Sequence, residues 1–94
     1  MQFQHKDNGQ QGEFFTLNDA GQRIAEISYV WRNENTIVAN HTWVDDCLRG
    51  QGVARKWLDV LVEFSRQKRL KIVPTCSYVD VMFKRDQGFA DVAA

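Results

Sequence analysis

The chain has one proline, two cysteines, no surplus of either charge and no long apolar run. Each shortage excludes something. Twelve basic residues balance twelve acidic ones, and nucleic-acid binders usually carry a basic surplus, so the balance argues against nucleic acid. Cys47 and Cys76 are too few for a disulfide framework or a cysteine-built zinc site, and two free thiols fit a reducing compartment. No stretch approaches the ~20 apolar residues of a membrane span. The start, MQFQHKDNGQQG, lacks the apolar core of a secretory signal. The expectation is a soluble, cytoplasmic protein with no membrane association. No repeat or linker divides the 94 residues, which suit one domain over 1–94 with one modest core.

What is present reads as an ordered series of elements. Residues 1–12 are polar and carry two glycines, which predicts a loose lead-in, with its end joining the first strand as the alternative. Glu13–Leu17 reads as a strand, followed by turn chemistry at Asn18–Gly21. Gln22–Arg32 is a second strand, with Ala25, Ile27, Tyr29 and Trp31 on one face. Thr36–Val44 is a third, rich in β-branched residues. The turns between them are short, so the three strands form an antiparallel meander. After a loop at 45–52, a helix runs from Val53 to Arg69 with Ala54, Trp57, Leu58, Leu61, Val62, Phe64 and Ser65 on one broad face. Leu70–Val73 is a short strand, which makes strand, helix and strand a β-α-β crossover. Tyr78–Asp86 reads as a second helix, with Gly88 as its cap and Phe89 returning to the core. The fold class is α+β. The basic cluster Arg66, Lys68, Arg69 and Lys71 reads as a solvated helix end; nucleic-acid or protein contacts through it form a third, minor reading.

The loop before the long helix, CLRGQGVA, places two glycines where a strand gives way to a helix. The first N–H groups of a helix have no partner within it, and with the helix dipole they form an anion site. Phosphate is the obvious anion, with Arg49 adding charge. There is no Gly-Lys-Ser/Thr and no third glycine at dinucleotide-fingerprint spacing. A plain glycine-rich helix entry stands beside the anion-site reading.

The run Arg49-Gly50-Gln51-Gly52-Val53-Ala54 resembles the R/Q-x-x-G-x-G/A pyrophosphate loop of the Gcn5-related N-acetyltransferases (GNAT). The rest is similar to a small branch of that superfamily, the short YjdJ-like proteins. It shows His41-Thr42-Trp43-Val44, then RGQGVA, then Pro74 to Val79, then Phe83 and Arg85, Phe89 and Asp91-Val92. The resemblance runs from about Glu13 to Val92. It implies an abridged GNAT fold, an antiparallel meander followed by the crossover and a short C-terminal helix. It implies acetyl-CoA as co-substrate, its pyrophosphate on the N–H groups of Gln51 to Ala54 with Arg49 beside it. It implies a pantetheine arm along Trp43 and Val44, and a thioester arriving near Cys76.

Larger members of the superfamily often use a tyrosine shortly before Gly-Phe to protonate the leaving thiolate. Gly88-Phe89 is preceded by Phe83-Lys84 instead, and Tyr78 is the nearby phenol. Cys76 is the characteristic residue of the branch. At a helix N-terminus its thiol would ionise more readily and carry the acetyl group; the alternative is a small residue buried beside the ligand. His41 is a candidate general base; the alternative is a half-buried histidine sharing a strand face with Ile37, Ala39 and Trp43. Cys47 has no assigned role, and His5 has no context. The leading reading is a small acetyl-CoA-dependent N-acetyltransferase acting on an amine, protein or small molecule. The other is a non-catalytic acetyl-CoA-binding module. The helical pair that shapes the acceptor pocket of larger relatives is missing, which leaves the acceptor side open.

Overall fold

The structure, a computed structural model, describes residues 3–48 and 53–94; of Cys47 and Val53 it describes only the backbone. Five strands form one sheet in the order β1-β2-β3-β4-β5. They are β1 (Gln4–Asp7), β2 (Gln11–Leu17), β3 (Arg23–Asn33), β4 (Thr36–Val44) and β5 (Lys71–Pro74). The first four run antiparallel, and β5 lies parallel to β4 after the crossover helix α1 (Val53–Lys68). Helix α2 (Ser77–Arg85) follows, then a 3-10 turn at Gln87–Phe89. A parallel pair needs such a crossover, because a tight turn cannot bring the chain back in the same direction. Among the described residues no helix is long and apolar enough to cross a membrane.

The lead-in is a correction to the sequence reading. Gln4–Asp7 pairs with β2 in register Gln4↔Phe15 to Asp7↔Gly12. The hairpin turn is held by the Asp7 and Asn8 carboxylate and amide oxygens, which accept from the N–H groups of Gly9, Gln10 and Gln11. All four residues of β1 are exposed, so no apolar alternation announces the strand.

The core lies between one face of the sheet and α1. Ala25, Ile27 and Tyr29 of β3 and Ile37 and Ala39 of β4 are fully buried against Trp57, Leu58, Leu61 and Val62 of α1. Ser65 shares that helix face, and its hydroxyl donates to the Leu61 carbonyl at 2.9 Å, which removes the cost of burying it. The C-terminal end closes over β5. Val92 and Phe89 are buried, the Ile72 N–H donates to Val92 O, and the Ala94 N–H donates to Ile72 O. Arg66 and Lys71, read from sequence as a solvated helix end, hold this tail: the Arg66 guanidinium grips the Asp91 carboxylate and donates to Gly88 O, and Lys71 Nζ donates to Asp91 O. Gly88 does not cap α2. Asp86 occupies that C-cap, and its carboxylate accepts from the Gly88 N–H.

Candidate active site

The site begins at an irregularity in β4. Tyr29 pairs with Ala39, yet the next residue back along β3, Ser28, pairs with His41, so Asn40 is an extra residue in its strand. Such a bulge reverses which side chains face which way. Before it, Ile37 and Ala39 face the core. After it, Thr42 and Val44 oppose core-facing Ile27 and Ala25, while His41 and Trp43 oppose Ser28 and Glu26 on the outer face. This corrects the expectation that His41 shares a face with Ile37 and Ala39. Its side chain is 55% exposed, with Nε2 3.9 Å from Glu26 Oε2.

The same segment is where the sheet opens. The parallel pairing runs from Thr36↔Lys71 to Ala39↔Pro74 and then stops. There the Ala39 carbonyl accepts the N–H groups of Thr75 (3.1 Å) and Cys76 (2.9 Å) and the Thr75 hydroxyl (3.1 Å), which turns the chain out of the sheet. β4 continues to Val44 still paired with β3. The Asp45 N–H donates to Ile24 O on β3, so strand alternation aims the N–H groups of Thr42 and Val44 at the opposite edge. Among the described residues no strand pairs with that edge beyond Ala39.

Cys76 stands at this opening as the N-cap residue of α2, with extended backbone (φ −72°, ψ 130°). It is half-buried and free, and its thiol donates to Thr42 Oγ1 at 3.5 Å. Burial pushes the thiol up; the Thr42 hydroxyl and the amides of Val79, Tyr78 and Thr42 outweigh it and leave Cys76 below the ordinary thiol value. Donors aimed at a sulfur favour its anion, and a helix N-terminus does so generally.

Arg55 ties α1 to the residues that follow α2. Its guanidinium donates to Asp59 (3.0 Å) and Asp86 (3.1 Å) and lies 4.8 Å from the Phe89 ring centroid. Tyr78 is half-buried, and burial raises its phenol above the usual range. Ala54 is half-buried in the first turn of α1, which Val53 opens. Arg49, Gly50, Gln51 and Gly52 lie outside the described residues.

The outer face of the sheet carries no helix among the described residues. It holds a depression of about 470 Å³, lined by Lys6, Glu13, Glu26, Ser28 and Asn40 among others. Its Glu13 is paired with Arg23, which lies 4.1 Å from the Phe15 ring centroid. Among the described residues no group of histidine, cysteine and carboxylate side chains could hold a metal.

The structure therefore brings Val44 and Cys76 to one opening with Thr42, a residue that sequence reasoning left without a role. It sets His41 and Trp43 on the opposite face, beside Glu26. No local signal marks Thr42, because its orientation depends on a bulge defined only against β3.

A model of the GCN5-related N-acetyl-transferase family matches residues 13–92. The solution structure of a GCN5-like protein from Staphylococcus aureus is similar over 97% of this chain and 87% of that one, at 34% identity and TM-score 0.76. A GNAT family N-acetyltransferase from Escherichia coli, solved in complex with CoA, matches 67% of this chain and 38% of its own at 19% identity and TM-score 0.59. Tetrahymena GCN5 matches 85% of this chain and 51% of its own at 7% identity and TM-score 0.66. This chain thus spans about half or less of those two larger proteins, and they bear on the fold alone. No curated protein sequence matches the chain.

Proposed function

Since the chain belongs to the GCN5-related N-acetyltransferase family, whose members move an acyl group from acyl-CoA to an amine, we propose that acetyl transfer here runs through Cys76 and serves an acceptor on the open face of the sheet. The observation that carries this reading is the parting of β4 from β5 after Ala39, with a half-buried thiol at its mouth that the Thr42 hydroxyl and nearby amides hold below its ordinary value. The edge of β4 from Asn40 to Val44 fits an extended arm bearing amides, which would add to it as a strand does. Arg49, Gly50, Gln51, Gly52, Val53 and Ala54 would hold the pyrophosphate, as the opening of a helix holds anions, and Trp43 would flank the arm.

Acetyl-CoA supplies the acetyl group as an activated thioester. The Cys76 thiolate attacks the acetyl carbon; an Sγ–C bond forms, the bond to the CoA sulfur breaks, and CoA leaves as a thiolate. The amine, as its free base, then attacks the same carbon. A C–N bond forms, the Sγ–C bond breaks, and the electron pair returns to Sγ. The surplus proton on nitrogen passes to solvent or, for an amine that reaches the opening from the outer face, to His41, which stands there beside Glu26. That face carries Glu13 and Glu26, both paired with Arg23, together with Lys6, and the acceptor on it is an amine borne by a protein or a small molecule.

The test is intact-mass measurement after exposure to acetyl-CoA, alongside calorimetric titration, for the parent chain, Cys76→Ala and Gly52→Glu. One acetyl adduct in the parent, none in Cys76→Ala, and lost binding in Gly52→Glu is the expected pattern. Undiminished turnover in Cys76→Ala would sink the covalent route. Binding with no transfer to any amine would leave a non-catalytic acetyl-CoA-binding module.

A further inference from the structure

We propose that Thr42 is a positioning residue for Cys76: its hydroxyl, turned to the core side by the bulge at Asn40, holds the sulfur in place and donates to it once the thiol is ionised. The inference rests on the reading of Cys76 as the acetyl carrier, although its geometry is independent of that reading.

In an unbroken strand, Thr42 would share the outer face with Val38 and Asn40, and its hydroxyl would meet solvent. The extra residue puts Thr42 opposite Ile27, whose side chain is fully buried on the core side. From there Oγ1 lies 3.5 Å from Cys76 Sγ. The other end of this contact is set by the residue just before the bulge, because the Ala39 carbonyl accepts the N–H groups of both Thr75 and Cys76. One bulged residue thus fixes both partners, Ala39 holding the backbone at Cys76 and Thr42 facing its sulfur. The thiol donates to Oγ1 while neutral. When it loses its proton to solvent, the hydroxyl rotates and donates to the anion, since a hydroxyl serves as donor and acceptor alike. The leading influences on the sulfur besides burial are this hydroxyl and three backbone amides, all uncharged. A hydrogen bond to a charged group is stronger than one between neutral groups, so the hydroxyl favours the thiolate. Valine has nearly the shape of threonine and lacks that donor; serine keeps it.

The experiment measures the rate of alkylation by iodoacetamide against pH in the full chain carrying Cys47→Ser, so that the signal comes from Cys76. Thr42→Val is expected to raise the midpoint by about one pH unit and slow alkylation roughly threefold below both midpoints, the loss of thiolate being partly offset by its greater nucleophilicity. Thr42→Ser is expected to stay within about twofold of the parent. Thr42→Ala, which removes the hydroxyl without adding bulk, is expected to shift like valine and serves if the valine variant does not fold. A parental midpoint in a folded valine or alanine variant overturns the inference. If the midpoint shifts while Cys76→Ala still transfers acetyl at the parental rate, the role of Thr42 stands and the covalent route falls.

Discussion

Gly12 is the position where one added methyl group should do most damage. It sits in a transverse row that crosses the sheet: Asp7↔Gly12, Gly12↔Tyr29, Tyr29↔Ala39, Ala39↔Pro74. The Tyr29 ring lies over Gly12, its hydroxyl donating to Asp7 Oδ2 at 2.6 Å and accepting from His5 Nε2 at 2.7 Å. A Cβ on Gly12 would fall closer than 3.0 Å to Tyr29 Oη and Cζ, and 2.9 Å from the Lys6 carbonyl. Tyr29 cannot swing aside cheaply. It is fully buried, and its ring packs against Phe14, Trp31 and Phe64. Gly12→Ala therefore displaces the phenol, at about 1–3 kcal/mol for the forced repacking and about 1.5–3 kcal/mol for the bond to a carboxylate. The sum, roughly 2.5–6 kcal/mol, is a large share of the roughly 5–14 kcal/mol expected for a chain of this length. Thermal unfolding followed by circular dichroism should show a midpoint about 10–30 °C lower. In a Tyr29→Leu background the same substitution should cost at least ~1 kcal/mol less, because no phenol remains to be displaced. A shift worth less than about 0.5 kcal/mol, or strict additivity with Tyr29→Leu, would refute the reasoning.

Three further outcomes are expected. Arg69 ends α1 in the left-handed region (φ 57°), where the Leu70 N–H donates to Ser65 O at 2.8 Å. Glycine takes that conformation without strain, so Arg69→Gly should raise stability by about 0.5–1 kcal/mol in urea titration; a lower midpoint would contradict it. Burial holds the His5 imidazole below its usual range, with Asp7 opposing and Lys68 adding to the effect. The unfolded chain then binds that proton more readily. The contribution is full above pH ~6.5 and fades as pH falls toward the depressed folded value; His5→Phe should flatten this part of the stability profile, and an unchanged slope would exclude His5 as its source. Asp91→Ala removes the carboxylate that Arg66 grips, so the amides of Ile72 and Ala94 should exchange hydrogen faster, and unaltered protection would show that the tail needs no such clamp.

Much of the fold was legible along the chain. The alternation of Ala25, Ile27 and Tyr29 marks the core face of β3, and the bounds of β4 follow from its β-branched run between two turns. The face of α1 that carries Trp57, Leu58, Leu61, Val62 and Ser65 is buried as its periodicity requires. These are local signals, because each depends on the spacing of residues within one element. The family is legible for a similar reason: its marks are short runs such as RGQGVA, read without reference to pairing.

What only the tertiary structure decided lies where one strand meets another. β1 has exposed residues on both faces, so its existence depends on the edge of β2 and on a Tyr29 hydroxyl that reaches Asp7. His41 and Thr42 exchanged faces because Asn40 is surplus to the register with β3, and no count within β4 reveals a surplus that exists only relative to a partner. Alternation is a property of one strand, while a bulge is a property of two. That difference placed Thr42, rather than His41, against the sulfur of Cys76.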